Sequence, residues 1–281
     1  MITRTNYIIQ TSPFLKEAVF FRDKETPVKS ILLYFHGGGL LCGKPDDLPG
    51  IHLETLTEKG YGILAFDYPL APAASVEMIL EDVLSSIRSY TESCSLPYFL
   101  WGRSAGAYLC LTAAARISAD PDLVSFLPSG LLSYYGYGFL TDGWYDTPAP
   151  WYEKLPPVPG SVLESLSGTL HTKGDLDTHY SAYVYARQTG TWLSLFYKGE
   201  KGNFLSEYSL CHVDSFPFPL FCAHSTGDPD VPFEEFNALS EKYRAKRHVA
   251  AAQAHDFDRT SSAFTVKLLL SDTVRFLDGC L

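Results

Sequence analysis

The feature that most restricts the fold of this chain is an alternation. ILLYF (31–35), YGILAF (61–66) and YFLW (98–101) are short apolar runs with no polar face. Each is followed by a segment with helical spacing. A strand that is apolar on both sides must be covered on both sides. Strands alternating with helices therefore predict a mostly parallel, twisted sheet with helices on both faces, an α/β architecture. GLLSYYG (130–136), FPLFCAH (218–224) and RHVAAA (247–252) extend the series, and NYIIQ (6–10) and EAVFF (17–21) precede it as two strands joined by a turn containing Pro13.

The helices follow the same pattern. LPGIHLETLTEKG has helical periodicity and stops at Gly60. Over 75–92, Val76, Ile79, Leu80, Val83, Leu84 and Ile87 fall on one stripe, with Ser75 as N-cap. Residues 104–117 are rich in good helix formers, and 259–278 reads as a closing amphipathic helix. With 281 residues, one large α/β domain spanning 1–281 accommodates the whole pattern. One stretch breaks it. Residues 139–214 hold three of the four tryptophans and the proline-rich TPAPWYEKLPPVPG. So long an excursion inside a compact domain predicts a lid or cap insertion.

Charge and composition exclude some functions. A net charge of −10 disfavours nucleic acid as the main partner. No stretch approaches the roughly 18 apolar residues of a membrane span, and the first residues hold no apolar signal core, so a cytoplasmic location is expected. The six cysteines show no C-x-x-C pairing, which points to core packing rather than a metal site or a disulfide framework.

The chemistry gathers at strand ends. Gly102-Arg103-Ser104-Ala105-Gly106 reads G-x-S-x-G between a strand and a helix. That context suits a nucleophile elbow, with glycines where side chains would clash. The plainer reading of Ser104 is a helix N-cap. A serine nucleophile needs a base, and His255 lies in a loop between the last strand and the last helix. The base needs a carboxylate to fix its tautomer. Asp228 follows strand 218–224, and Asp230 competes with it two residues on; Asp228 is preferred as nearer the strand end. Attack on a carbonyl creates an oxyanion that needs preorganised donors. Ala105 supplies one N–H, and the glycines of HGGG (36–39), above all Gly38 and Gly39, can present others unobstructed. His36 is expected to tie that loop down.

HGGG, DYPLAP (67–72), GRSAG, STGDPDVP (225–232) and AHDFD (254–258) together resemble the α/β-hydrolase fold esterases, especially the hormone-sensitive-lipase-like branch, over most of residues 30–281. The resemblance implies Ser104 as nucleophile, Asp228 as acid, His255 as base and Gly38 and Gly39 in the oxyanion hole, with Asp67 structural. Two departures concern the substrate. The N-terminus is too short for the cap that many relatives carry there, and the acid segment looks more like that of peptidase or dienelactone-hydrolase relatives. The expected activity is hydrolysis of a small or medium carboxylic ester through an acyl-enzyme, with no cofactor and no metal. Amide or peptide hydrolysis and a non-catalytic ligand-binding member of the fold are the alternatives. Trp144 and Trp151 are expected to line the substrate site. The expected partner is a small-molecule ester, and the sequence is compatible with a homodimer.

Overall fold

The computed structural model describes residues 1–11, 14–260 and 262–281. The turn expected around Pro13 lies outside the described residues. Eight strands form one sheet: β1 (Ile2–Thr11), β2 (Phe14–Asp23), β3 (Ser30–Phe35), β4 (Tyr61–Phe66), β5 (Tyr98–Arg103), β6 (Gly130–Tyr134), β7 (Leu220–Ser225) and β8 (Lys246–Ala250). Their spatial order is β1-β2-β4-β3-β5-β6-β7-β8. β1 and β2 pair antiparallel, β2 joins β4 antiparallel, and every pair from β4 to β8 is parallel. The first two strands are longer than their apolar cores suggest, because a two-stranded hairpin propagates its ladder into polar flanks.

The helices are α1 (Gly50–Glu58), α2 (Val76–Ser93), α3 (Ala105–Ala119), α4 (Glu164–Ser167), α5 (Thr178–Thr189), α6 (Trp192–Phe196), α7 (Lys201–Tyr208), α8 (Phe233–Lys242), α9 (Phe257–Thr260) and α10 (Ala263–Asp278). The stripe on α2 is buried as the spacing requires, and the Ser75 side chain accepts from the Met78 N–H. The closing segment, expected as one helix, is two, with Ser262 capping the second.

Alternation along the central strands separates two cores. Leu33, Phe35 and Leu100 face the layer that holds α2 and α3. Leu32, Tyr34, Phe99 and Trp101 face the layer that holds α10. Among the described residues no helix is long and apolar enough to cross a membrane.

Parallel pairing aligns the carboxyl ends of the strands. Phe35 lies beside Gly102, Gly102 beside Ser133, and Ser133 beside Cys222. Loops leaving β3, β5, β7 and β8 therefore open at one edge, the usual place for a site in such a sheet. The long segment between β6 and β7, which contains α4 to α7, reaches the same edge. It is tied there by a reciprocal backbone pair between Gly43 and Gly174 and by the Trp192 indole N–H donating to the Gly39 carbonyl at 2.7 Å.

Candidate active site

β5 runs to Arg103, and Ser104 follows at once with φ 52° and ψ −121° before α3 begins. A positive φ in a residue with a side chain is strained and is kept only where the surroundings enforce it. Here they do. A Cβ on Gly102 would lie 2.2 Å from the Gly106 carbonyl, and one on Gly106 would lie 2.0 Å from the Phe35 carbonyl oxygen. The two glycines let strand, turn and helix pack close enough to push the serine out at the sheet edge.

The loops after β7 and β8 bring in the other two groups. They are pinned together: the Thr226 N–H donates to Ala250, the Gly227 N–H to Ala252, and the Ser225 hydroxyl to the Ala254 carbonyl. His255 Nε2 lies 2.7 Å from Ser104 Oγ, and His255 Nδ1 lies 2.7 Å from Asp228 Oδ2. Three side chains separated by 151 and 27 positions thus form one hydrogen-bonded line.

The two carboxylates that the sequence left in competition are now separated. Asp228 Oδ1 accepts from the N–H groups of Asp230 and Val231, which closes a tight turn and aims Oδ2 at His255. His224 Nε2 also approaches that oxygen at 3.2 Å. Burial alone would raise the Asp228 pKa; the charges and hydrogen bonds of His255 and His224 instead hold it well below the usual carboxylate range. For His255, burial alone would lower the pKa, yet the Asp228 carboxylate, with Asp230 and Asp256 adding to it, pushes it up to about 9. Asp230 instead accepts hydrogen bonds from Tyr152, Tyr183 and Arg187, and makes none to His255.

The loop after β3 forms the facing rim. Gly38 and Gly39 have φ of 105° and 61°. A Cβ on Gly38 would meet the Cys42 carbonyl oxygen at 2.1 Å, and one on Gly39 would meet the Tyr183 ring at 2.1 Å. The Leu41 and Cys42 N–H groups donate to the Gly38 carbonyl, which curls the loop. His36 is fully buried: its ring stacks on Tyr68, and its Nδ1 lies 2.8 Å from the Gly37 carbonyl, beside the loop it was expected to tie down.

Gly38, Gly39, Ser104 and His255 share one cavity of about 490 Å³. Tyr152, Tyr180 and Tyr183 from the segment between β6 and β7 line it as well. Trp151 stands at this cavity, 40% exposed. Trp144 does not line it, contrary to the expectation. Its indole N–H is drawn away to Glu235, and its ring packs against Tyr137, Tyr145 and the Arg187 guanidinium.

A buried ionic group behind the serine escaped the sequence reading. Asp258 accepts from Arg103 at 2.9 Å and Tyr135 at 3.0 Å on one oxygen, and His52 Nε2 lies 3.1 Å from the other. The Tyr135 ring stands edge-on to His255, with centroids 4.8 Å apart. Asp258 stands in the AHDFD string, but nothing in sequence links it to Arg103, 155 positions away.

Residues 32–190 match the model of a family described by its alpha/beta hydrolase fold. The chain belongs to the α/β-hydrolase fold family. A protein of unknown function from Staphylococcus aureus is 28% identical, with 98% of this chain and 99% of that one covered and a TM-score of 0.83. An alpha/beta hydrolase superfamily protein from Enterococcus faecalis is 25% identical, with 98% of each chain covered and a TM-score of 0.82. Human hormone-sensitive lipase is 30% identical over 113 residues, which make up 38% of this chain and only 10% of the lipase. The likeness to the lipase is thus confined to a core shared with a much longer protein.

Proposed function

We propose that this α/β-hydrolase is a serine hydrolase that cleaves a carboxylic ester through an acyl-enzyme. The observation that carries the reading is the unbroken line Asp228–His255–Ser104, with both hydrogen bonds at 2.7 Å. With His255 neutral and its proton on Nδ1, Nε2 accepts the Ser104 proton as the hydroxyl attacks the ester carbonyl. The backbone N–H groups of Gly38, Gly39 and Ala105 take the oxyanion, and their preorganisation costs nothing at the moment of reaction. The imidazolium returns its proton to the leaving alkoxide, the alcohol departs, and water repeats the sequence on the acyl-serine. Asp258 holds Arg103 and Tyr135 against the back of the elbow and of the imidazole. The segment 139–214 supplies part of the cavity wall, and Trp151 at the cavity sets which acyl or alcohol group enters. The cavity volume suits a small or medium substrate.

The reading has a pH consequence. Only neutral His255 can accept the serine proton. Because its pKa in the free protein is pushed up to about 9, kcat/KM should rise with pH through the neutral range and level off only near that value. The test is turnover of p-nitrophenyl esters of increasing acyl length, with matched p-nitroanilides alongside. Turnover of the short esters that disappears in Ser104→Ala supports the reading. Anilides cleaved as fast as esters, or unchanged turnover in Ser104→Ala, would overturn it.

A further inference from the structure

Asp230 has no part in the line just described, yet it lies closer to the reacting atoms than a wall residue needs to. Its side chain is buried, and its Oδ2 is 4.0 Å from His255 Nε2, on the side of the ring opposite Asp228. That is too long for a hydrogen bond but short for two charges of which one, the carboxylate, is buried.

The groups around Asp230 are arranged unevenly. Oδ2, the oxygen facing His255, accepts from two neutral phenols, Tyr152 at 3.0 Å and Tyr183 at 2.7 Å. A cation, Arg187, binds Oδ1 at 3.0 Å and the Asp230 carbonyl at 3.2 Å. The positive charge thus sits on the far oxygen, while the near oxygen is shielded only by neutral donors. Removing an ion pair from water is a poor source of stability, and an apolar pair of similar volume would pack this wall as well. Asp230 also shares a turn with the acid, since its own N–H donates to Asp228 Oδ1 at 2.8 Å.

We propose that Asp230 is a positioning residue for His255: a second carboxylate, on the Nε2 side of the ring, that stabilises the imidazolium formed when the base takes the serine proton. The inference rests on His255 being that base. Asp228 then holds the ring through a hydrogen bond, while Asp230 acts on it through charge alone. Tyr152 and Tyr183 moderate that charge, so the segment between β6 and β7 adjusts the base as well as walling the cavity. The Asp230 charge is indeed among the influences that raise the His255 pKa, after burial, which lowers it, and Asp228. The other groups facing the ring are the Ser104 hydroxyl, the edge of Tyr135, whose hydroxyl is committed to Asp258, and Asp256, which pairs with Arg259 at 3.6 Å. All of these are unchanged in the variants below.

The test is the rate at which a small fluorophosphonate labels Ser104, followed from pH 5 to pH 10.5. It reads the base without knowledge of the substrate. In Asp230→Asn the acid limb should fall by about one pH unit, the lower end of the effect of a charge at this distance, because Arg187 offsets part of it. The weaker base should also lower the alkaline plateau, so that the variant's profile crosses that of the wild type. Tyr152→Phe and Tyr183→Phe keep the rings but remove donors from Oδ2, and each should move the limb the other way, upward by a few tenths of a unit. Opposite shifts from the two kinds of variant support the proposal; a merely structural role for Asp230 would produce neither. If Asp230→Asn does not fold, because Arg187 is left buried without its partner, the two Phe variants decide alone. Limbs that stay at the wild-type position, or Phe variants that shift downward, would overturn the proposal while the base assignment stands. Wild-type protein that is not labelled at Ser104 would overturn that assignment and the proposal with it.

Discussion

Replacing Asp228 by Asn separates orientation of the imidazole from integrity of the fold. Asp228 is met by four donors or ring nitrogens: the N–H groups of Asp230 and Val231 at 2.8 and 3.0 Å, His255 Nδ1 at 2.7 Å and His224 Nε2 at 3.2 Å. An Asn side chain keeps one oxygen, which can still accept both backbone N–H groups, so the turn after β7 should survive. Its amide NH₂ then faces His255 Nδ1 and must donate to it. The ring proton is forced onto Nε2, where it opposes the Ser104 hydroxyl instead of accepting its proton. The equivalent exchange in a serine protease lowers kcat about 10⁴-fold, and the same tautomer argument predicts a loss of this order here. That is about 5 kcal/mol of transition-state stabilisation. The assay is kcat for a short p-nitrophenyl ester beside a thermal melt. The expected outcome is a melting temperature within a few degrees of wild type and a kcat reduced by at least a thousandfold. A kcat within tenfold of wild type, in a protein that melts normally, would refute the assignment of Asp228 as the residue that holds the base.

Other perturbations test separate parts of the account. Gly39→Ala places a methyl group 2.1 Å from the Tyr183 ring at a φ of 61°, so the loop must shift; kcat should fall about a hundredfold with KM nearly unchanged, as steady-state kinetics would record. Trp151→Ala should alter the preferred acyl length across a p-nitrophenyl ester series, whereas Trp144→Ala should lower the denaturation midpoint and leave that preference alone. Asp258→Asn removes the buried carboxylate from the Arg103 guanidinium, which keeps only the partly exposed Asp47 at 3.3 Å, and should cost about 3 kcal/mol in urea unfolding; a loss below 1 kcal/mol would show that the network behind the elbow is not a stabilising one.

Much of the site was legible because its groups follow strands. Ser104 stands where a buried apolar run meets a helix, and His255 in the loop between the last strand and the closing helices; both patterns survive in a single sequence. The choice between Asp228 and Asp230 was not legible to the same degree. Both lie just past β7, and what separates them is a turn in which one carboxylate accepts the other residue's N–H. The Asp258–Arg103–His52 cluster was invisible because its members lie far apart in the chain and meet only when the sheet and α1 are assembled. Trp144 was misplaced for a simpler reason. Aromatic content and neighbouring prolines mark a stiff apolar segment, but they do not say which ring faces the cavity and which turns back toward Glu235. The closing helix was expected as one piece, although the DRTSS string before its apolar stripe holds Ser262, the cap that starts α10.

The central claim is that Ser104 carries the acyl group between two half-reactions. It is tested most directly by mixing the protein with a p-nitrophenyl ester, quenching in acid within the first turnovers and mapping the peptides by mass. The account predicts a peptide containing Ser104 that is heavier by the acyl group less one hydrogen, formed together with a burst of p-nitrophenol and absent from Ser104→Ala. Turnover of the ester with the acyl group on another residue would contradict it.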